Sequence, residues 1–195
     1  IFVADYMDGK VAKATDIMPG EPYDTPLKPF GGMEEIAWTP CGKGIAYTCK
    51  KLTGKEFAFS TNSDIYLYRI ETGETTNLTE GMPGYDKQPL FSPQGELMAW
   101  VSMERAGFEA DKERLFVMNM TTGEKTYMTP DFDYSVSNMQ WTPDGKAMYF
   151  IVGVEATHQI FRIDMETAEI KPVTKGLHDY HSVALAGNVL IADNI

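Results

Sequence analysis

The chain has 195 residues, 43% of them hydrophobic and 12% aromatic, enough to bury the core of one ordinary domain. Its 17 Lys and Arg stand against 28 Asp and Glu, and the formal net charge of −11 repels phosphate backbones and argues against nucleic acid as a partner. No apolar run approaches the roughly 20 residues that a spanning helix needs, so no membrane insertion is expected.

Taken in chain order, residues 1–35 read as the tail of one unit and a linker. Ile1-Phe2-Val3-Ala4 has strand character, and Met7-Asp8-Gly9-Lys10 forms a turn with Thr15 six positions after its glycine. Residues 36–89 form the first whole repeat. It opens on Trp38-Thr39-Pro40-Cys41-Gly42-Lys43 and carries a second marker, Glu71-Thr72-Gly73-Glu74, with Thr79 again six positions on. Residues 90–138 repeat the plan with Phe91-Ser92-Pro93-Gln94-Gly95-Glu96, Thr122-Gly123-Glu124 and Thr129; strands are predicted at 96–103, 115–120 and 125–129. Residues 139–182 repeat it once more with Trp141-Thr142-Pro143-Asp144-Gly145-Lys146, Glu166-Thr167-Ala168-Glu169 and Thr174. Residues 183–195 begin another unit with a strand near Val189-Leu190-Ile191-Ala192.

The markers have a physical logic. Proline sets φ, a short polar residue caps the bend and glycine accepts positive φ, so each marker is a turn between neighbouring antiparallel strands. Short strands joined by such turns at a period of about 50 residues specify an all-β fold of β-propeller blades, each of four antiparallel strands. Three repeats are complete and both ends are partial. Trp38, Phe91 and Trp141 stand just before the same turn and are expected at equivalent buried positions. No window keeps an apolar stripe of helical period over three turns. The partial ends predict an open arc cut from a longer propeller, with bare strand edges that offer a route to edge-to-edge self-association. Cys41 falls at a turn and Cys49 along the next strand, which predicts two free thiols.

The segment Trp141-Thr142-Pro143-Asp144-Gly145-Lys146-Ala147-Met148-Tyr149-Phe150 resembles the propeller repeat shared by TolB-type proteins and the prolyl oligopeptidase family; Phe91, Gln94 and Cys41 depart from that repeat. A narrower likeness lies in Thr61-Asn62-Ser63-Asp64-Ile65-Tyr66-Leu67-Tyr68 and in residues 102–112, which are similar to bacterial dipeptidyl peptidases and acylaminoacyl peptidases of the prolyl oligopeptidase family. The resemblance implies a noncatalytic propeller that caps and gates the substrate chamber of an exported, periplasmic serine peptidase. Its partners would be peptide substrates and a C-terminal α/β-hydrolase domain of the same chain that carries the triad. The alternative is a TolB-like protein-binding propeller of an envelope complex with no enzymatic activity. A Gly-x-Ser-x-Gly segment downstream in the full-length protein separates the two.

The chain has no Gly-x-Ser-x-Gly elbow of its own, so no catalytic residue is assigned. It has no phosphate-binding glycine motif and no Cys-x-x-Cys, so neither a cofactor nor a metal is expected. His178 and His181 flank Asp179 in a connection between blades, where a polar loop accounts for them. From the first marker to the second the repeats shorten progressively along the chain, which places extra residues in loops 51–63 and 104–113. The mixed charges of the second loop fit a solvated, self-paired surface. The resemblance implies a sharper reading, in which propeller carboxylates hold the protonated amine of a substrate: Glu104 and Glu109 are the candidates, with Arg105 placed to grip a substrate carbonyl. Glu34-Glu35 is a weaker pair, read as the polar start of a strand.

Overall fold

The repeat becomes a stack of twisted sheets in the computed structural model, which describes residues 1–194. Four short strands, β1 (Phe2–Val3), β2 (Tyr6–Met7), β3 (Lys10–Val11) and β4 (Thr15–Asp16), form two small antiparallel pairs, β2 with β3 and β1 with β4. A turn of 3₁₀ helix at Met33–Glu35 leads into the first blade, made of β5 (Ile36–Trp38), β6 (Gly44–Cys49), β7 (Asp64–Arg69) and β8 (Thr75–Asn77). The second blade is β9 (Asp86–Phe91), β10 (Leu97–Ser102), β11 (Arg114–Asn119) and β12 (Lys125–Tyr127). The third is β13 (Ser137–Trp141), β14 (Ala147–Val154), β15 (Thr157–Asp164) and β16 (Ile170–Pro172). The hairpin of β17 (Tyr180–Ala186) and β18 (Val189–Asn194) follows. Every strand pair is antiparallel, and the two ends form separate two-stranded sheets, so the arc is open.

Each sheet begins a few residues ahead of the boundary read from the sequence at 90, 139 or 183. The first marker closes the innermost strand, so that strand's earlier residues belong to the same blade.

The two markers prove to be hydrogen-bonded devices repeated in all three blades. In the first, glycine takes positive φ at Gly42, Gly95 and Gly145, and the residue before proline receives the backbone bond that closes the bend. The hydroxyl of Thr39, Ser92 or Thr142 accepts from the N–H of Gly44, Leu97 or Ala147 at 2.9–3.1 Å. That hydroxyl is present in every repeat, so the bend survives where Asp144 is replaced by Cys41 or Gln94. In the second, Gly73, Gly123 and Ala168 all have positive φ, near +57° even for the alanine, where a Cβ is strained. The threonine six residues on has a defined task. Thr79, Thr129 and Thr174 accept from the N–H of Ile65, Leu115 and Ile160 at 2.8–3.1 Å, pinning the outer edge of each sheet to its third strand. Thr15 has no such partner. Asp8-Gly9 forms a two-residue hairpin loop with both φ positive, a different turn that changes the register behind it.

Sheet stacking supplies the core. All six residues of β6 are buried, because neighbouring elements cover both faces of the strand. Phe91, Met98 and Trp100 of the second blade pack on Ala46, Ile65 and Leu67 of the first. Met139, Trp141 and Met148 of the third pack on Ala99, Val101 and Val117 of the second. Ile17 and Met18 cover Ile45, Tyr47 and Cys49 on the far face of the first blade.

One expectation is corrected. Trp38 is 54% exposed, whereas Phe91 and Trp141 are 8% and 7% exposed. The physical reason is that each marker aromatic points at the preceding sheet, and no four-stranded sheet stands before the first blade. Loop 51–63 holds a short helix, α1 (Gly54–Phe59), which buries none of its residues and therefore lacks the apolar stripe that would announce it. Cys41 and Cys49 are both free thiols, the first exposed and the second buried.

Candidate functional site

The two long loops are one structural unit. The Gly107 N–H donates to Thr61 Oγ1 at 2.8 Å, which ties the loop after β10 to the segment after α1. Ser63 bonds the backbone of Asp86 twice, through its carbonyl at 3.1 Å and its hydroxyl at 3.0 Å, fixing the same segment to the start of β9. Gly84 lies so close to the Met103 carbonyl that no side chain fits there. These contacts hold the end of β10 and the start of β9 together, and with the 3₁₀ turn they border a cavity of about 200 Å³, lined in part by Leu27, Phe30, Glu34, Glu35, Tyr85, Lys87, Met103 and Glu109.

The loop carboxylates have different fates. Glu109 lines the cavity and is felt by two groups, Tyr85 in the cavity lining and Lys50 outside it. It raises the Tyr85 hydroxyl in addition to the larger effect of burial, and it partly offsets the desolvation that lowers the ammonium of Lys50. Glu104 lies outside the cavity, exposed, with Arg114 at 3.9 Å. Arg105 is engaged within its own loop: Nε bonds both carboxylate oxygens of Asp111 at 3.0 and 3.1 Å, and the guanidinium lies 3.8 Å over the Phe108 ring. This pairing holds the Asp111 carboxyl below the usual range.

Glu34 and Glu35 are placed by the 3₁₀ turn, not by a strand. Glu35 is buried, and its Oε2 accepts from the Leu27 N–H at 2.6 Å. Desolvation raises its carboxyl above the ordinary value, and the Leu27 bond opposes this. Glu34 accepts from the Gly32 N–H at 2.9 Å and borders both this cavity and a wider one of about 710 Å³ along the inner strands. Sequence reasoning ranked this pair low and passed over Tyr85 and Lys87. Gly31-Gly32 ahead of the carboxylates was the available signal of a tight turn there. Two ammonium groups also line the cavity, and each has a carboxylate partner of its own: Lys87 pairs with Glu113 at 2.7 Å and Lys28 with Asp24 at 3.1 Å, which leaves the cavity acidic through Glu34, Glu35 and Glu109.

Of the histidines, His158 and His181 meet at Asp179, at 2.6 and 3.3 Å, whereas His178 packs against Tyr180. The His158 contact holds the Asp179 carboxyl low. Among the described residues, no cluster of His, Cys, Asp and Glu could hold a metal ion. Among the described residues, no helix is long and apolar enough to cross a membrane.

Four-stranded antiparallel blades stacked in an arc define part of a β-propeller, with an acidic cavity lying under two mutually bonded loops at its blade connections. The TolB β-propeller domain family matches residues 34–192, and the chain belongs to that family. Dipeptidyl-peptidase 5 of Porphyromonas gingivalis is 46% identical over 191 residues, 98% of this chain, and dipeptidyl-peptidase 5 of Porphyromonas endodontalis is 48% identical over the same length. The chain spans 28% of the length of each. Among solved structures, the acylaminoacyl peptidase of Pyrococcus horikoshii superposes with a TM-score of 0.66 at 18% identity, covering 99% of this chain and 27% of that one, a likeness of fold.

Proposed function

We propose that this chain is the substrate-capturing propeller of an exported serine-type dipeptidyl peptidase, and that the acidic cavity receives the free amino terminus of a peptide. One observation carries the reading: the fold brings Glu109 of the second blade into the same cavity of about 200 Å³ as Glu34 and Glu35 of the turn before the first blade. An ammonium is held well by a few fixed carboxylates in a partly desolvated recess, where charge-assisted bonds are strongest. Glu109 and Glu34 are the carboxylates that act on it. Glu35 is occupied by the Leu27 N–H and shapes the turn. Arg105, engaged by Asp111, rigidifies the loop that presents Glu109, and Glu104 stays in solvent. The names of the Porphyromonas relatives support the peptidase assignment, and their origin and the TolB family support an envelope or exported location. Bond cleavage belongs to a hydrolase domain elsewhere in the full-length protein, against which this arc gates access.

The test uses Glu109→Gln and Glu34→Gln in the full-length protein, assayed on a dipeptide substrate with a free amine and on its N-acylated counterpart. Loss of one charge-assisted bond should lower kcat/KM on the free-amine substrate by about 10- to 100-fold and leave the acylated one unchanged. Equal rates on the free-amine substrate for wild type and both variants would overturn the assignment.

A further inference from the structure

The partly buried lysines Lys51, Lys87 and Lys112 each turn their ammonium to a carboxylate, that of Glu21, Glu113 and Asp133. Lys50, the most buried lysine, does not. It directly follows β6, is 8% exposed, and directs its ammonium to α1: Nζ donates to the Phe57 carbonyl and lies 4.2 Å over the Phe57 ring. Desolvation lowers this ammonium, so its placement works against an electrostatic cost. The helix it meets has little else to hold its first turn. None of the α1 residues is buried, Thr53 at its start makes no side-chain capping bond, and six residues are too few for a helix to persist alone. Beyond α1 the chain is firmly placed, with Thr61 and Ser63 buried. There Thr61 Oγ1 accepts from the Gly107 N–H at 2.8 Å, and the Phe59 carbonyl lies so near Gly107 that an added Cβ would stand 3.3 Å from it. The helix thus runs from Lys50 at the end of β6 to the loop that carries Glu109, two residues past Gly107.

We propose that α1 is a strap fastened by Lys50, that it holds the loop of Glu109 in place, and that Lys50 is therefore a positioning residue for the candidate site. The link to substrate rests on the reading of Glu109 as an acceptor of the substrate amine; the strap itself does not. A carbonyl and a ring face grip an ammonium from two directions without any carboxylate. That choice of partners matters here. Glu109 is near enough to favour the charge of Lys50, yet the ammonium is engaged by Phe57, which leaves the Glu109 carboxylate open to an incoming amine. Without Phe57, Lys50 becomes a competing cation beside Glu109, and without Lys50 the strap and the loop bonded to it lose their anchor.

Lys50→Met, Lys50→Arg and Phe57→Ala in the full-length protein test the proposal by two readouts. The first is amide exchange at Gly107, whose N–H bonds the loop to the strap, with the buried Ile65 N–H as a reference for an intact blade. Lys50→Met should speed exchange at Gly107 about ten-fold, the size of one charge-assisted bond, and leave Ile65 unchanged. Lys50→Arg, which keeps a cation for the ring, should stay near wild type. The second readout is kinetic: Lys50→Met and Phe57→Ala should raise KM for a free-amine dipeptide substrate about five- to ten-fold, keep kcat within about two-fold, and leave the N-acylated substrate unaffected. If Lys50→Met also speeds Ile65, the blade itself has loosened, and Phe57→Ala, which alters a half-exposed ring, decides the matter. Unchanged exchange at Gly107 in both Lys50→Met and Phe57→Ala overturns the strap. Faster exchange with an unchanged KM overturns the positioning role, given a Glu109→Gln variant that does lose kcat/KM. A silent Glu109→Gln removes the amine reading alone, and the exchange result then decides the strap.

Discussion

Trp100 Nε1 donates to Asp86 Oδ1 at 2.9 Å inside the second blade, and both side chains are fully buried. The other carboxyl oxygen of Asp86 has no partner, and burial pushes the group up to about 7, with Ser102 and Trp100 opposing the shift and Asp64 adding to it. The folded state therefore holds a proton on Asp86 that the unfolded chain has released above its ordinary value near 4. Between those values the folded state binds more protons than the unfolded one, so the contribution of this group to stability falls as pH rises and levels off above about 7. Urea unfolding at pH 5 and pH 8 should show a loss of roughly 3 kcal/mol from this source. Asp86→Asn, which keeps an acceptor for the indole, should remove most of that loss. An unchanged slope in the variant assigns the pH dependence to other groups.

The marker aromatics give a graded series. Trp141→Ala and Phe91→Ala empty well-packed gaps between blades and should each cost about 3–5 kcal/mol. Trp38→Ala in this chain, where the ring is half solvated, should cost only about 1 kcal/mol. Chemical denaturation of the three variants measures the order, and equal losses at all three positions would contradict the open face on the first blade.

Threonine at the outer edge makes a third case. Thr129→Val preserves shape and leaves the buried N–H of Leu115 without its acceptor, at a cost of about 1–3 kcal/mol. Amide exchange at Leu115 should accelerate correspondingly. Thr15→Val, at a position with no equivalent bond, should shift stability by less than about 0.5 kcal/mol.

Gly84→Ala connects backbone packing to the candidate site. Its new methyl would collide with the Met103 carbonyl and push away from the cavity the strand end that leads into the loop carrying Glu109. The expected result is a stability loss of about 1–3 kcal/mol together with a raised KM for free-amine substrates in the full-length protein. A variant with wild-type kinetics would show that Glu109 is placed independently of this contact.

Most of the architecture is legible in the sequence because it rests on local chemistry. A proline, a glycine and a hydroxyl at fixed spacing determine a bend whatever surrounds it, and a threonine six residues beyond the second turn can reach only one strand edge. The repeat therefore announces antiparallel blades, their number and their connections before any contact is known. The cysteines are legible for the same reason, one at a turn and one along a strand.

What only the tertiary structure decided is which side chains meet. Trp38 and Trp141 have the same local sequence and the same turn, yet one is half exposed and the other buried, because burial depends on whether a sheet stands opposite. Glu104 and Glu109 lie five residues apart in one loop with equivalent chemistry on paper. The Arg105–Asp111 pair and the Gly107–Thr61 bond fold that loop so that Glu109 enters the cavity and Glu104 leaves it. Glu34 and Glu35 look like the start of a strand because Gly31-Gly32 is the one local sign of a turn, while the contact that holds Glu35 inward, with the Leu27 N–H eight residues away, leaves no pattern in the sequence. Short-range turn chemistry is written in the order of residues, whereas convergence of loops from different blades is a property of the stacked sheets that carry them.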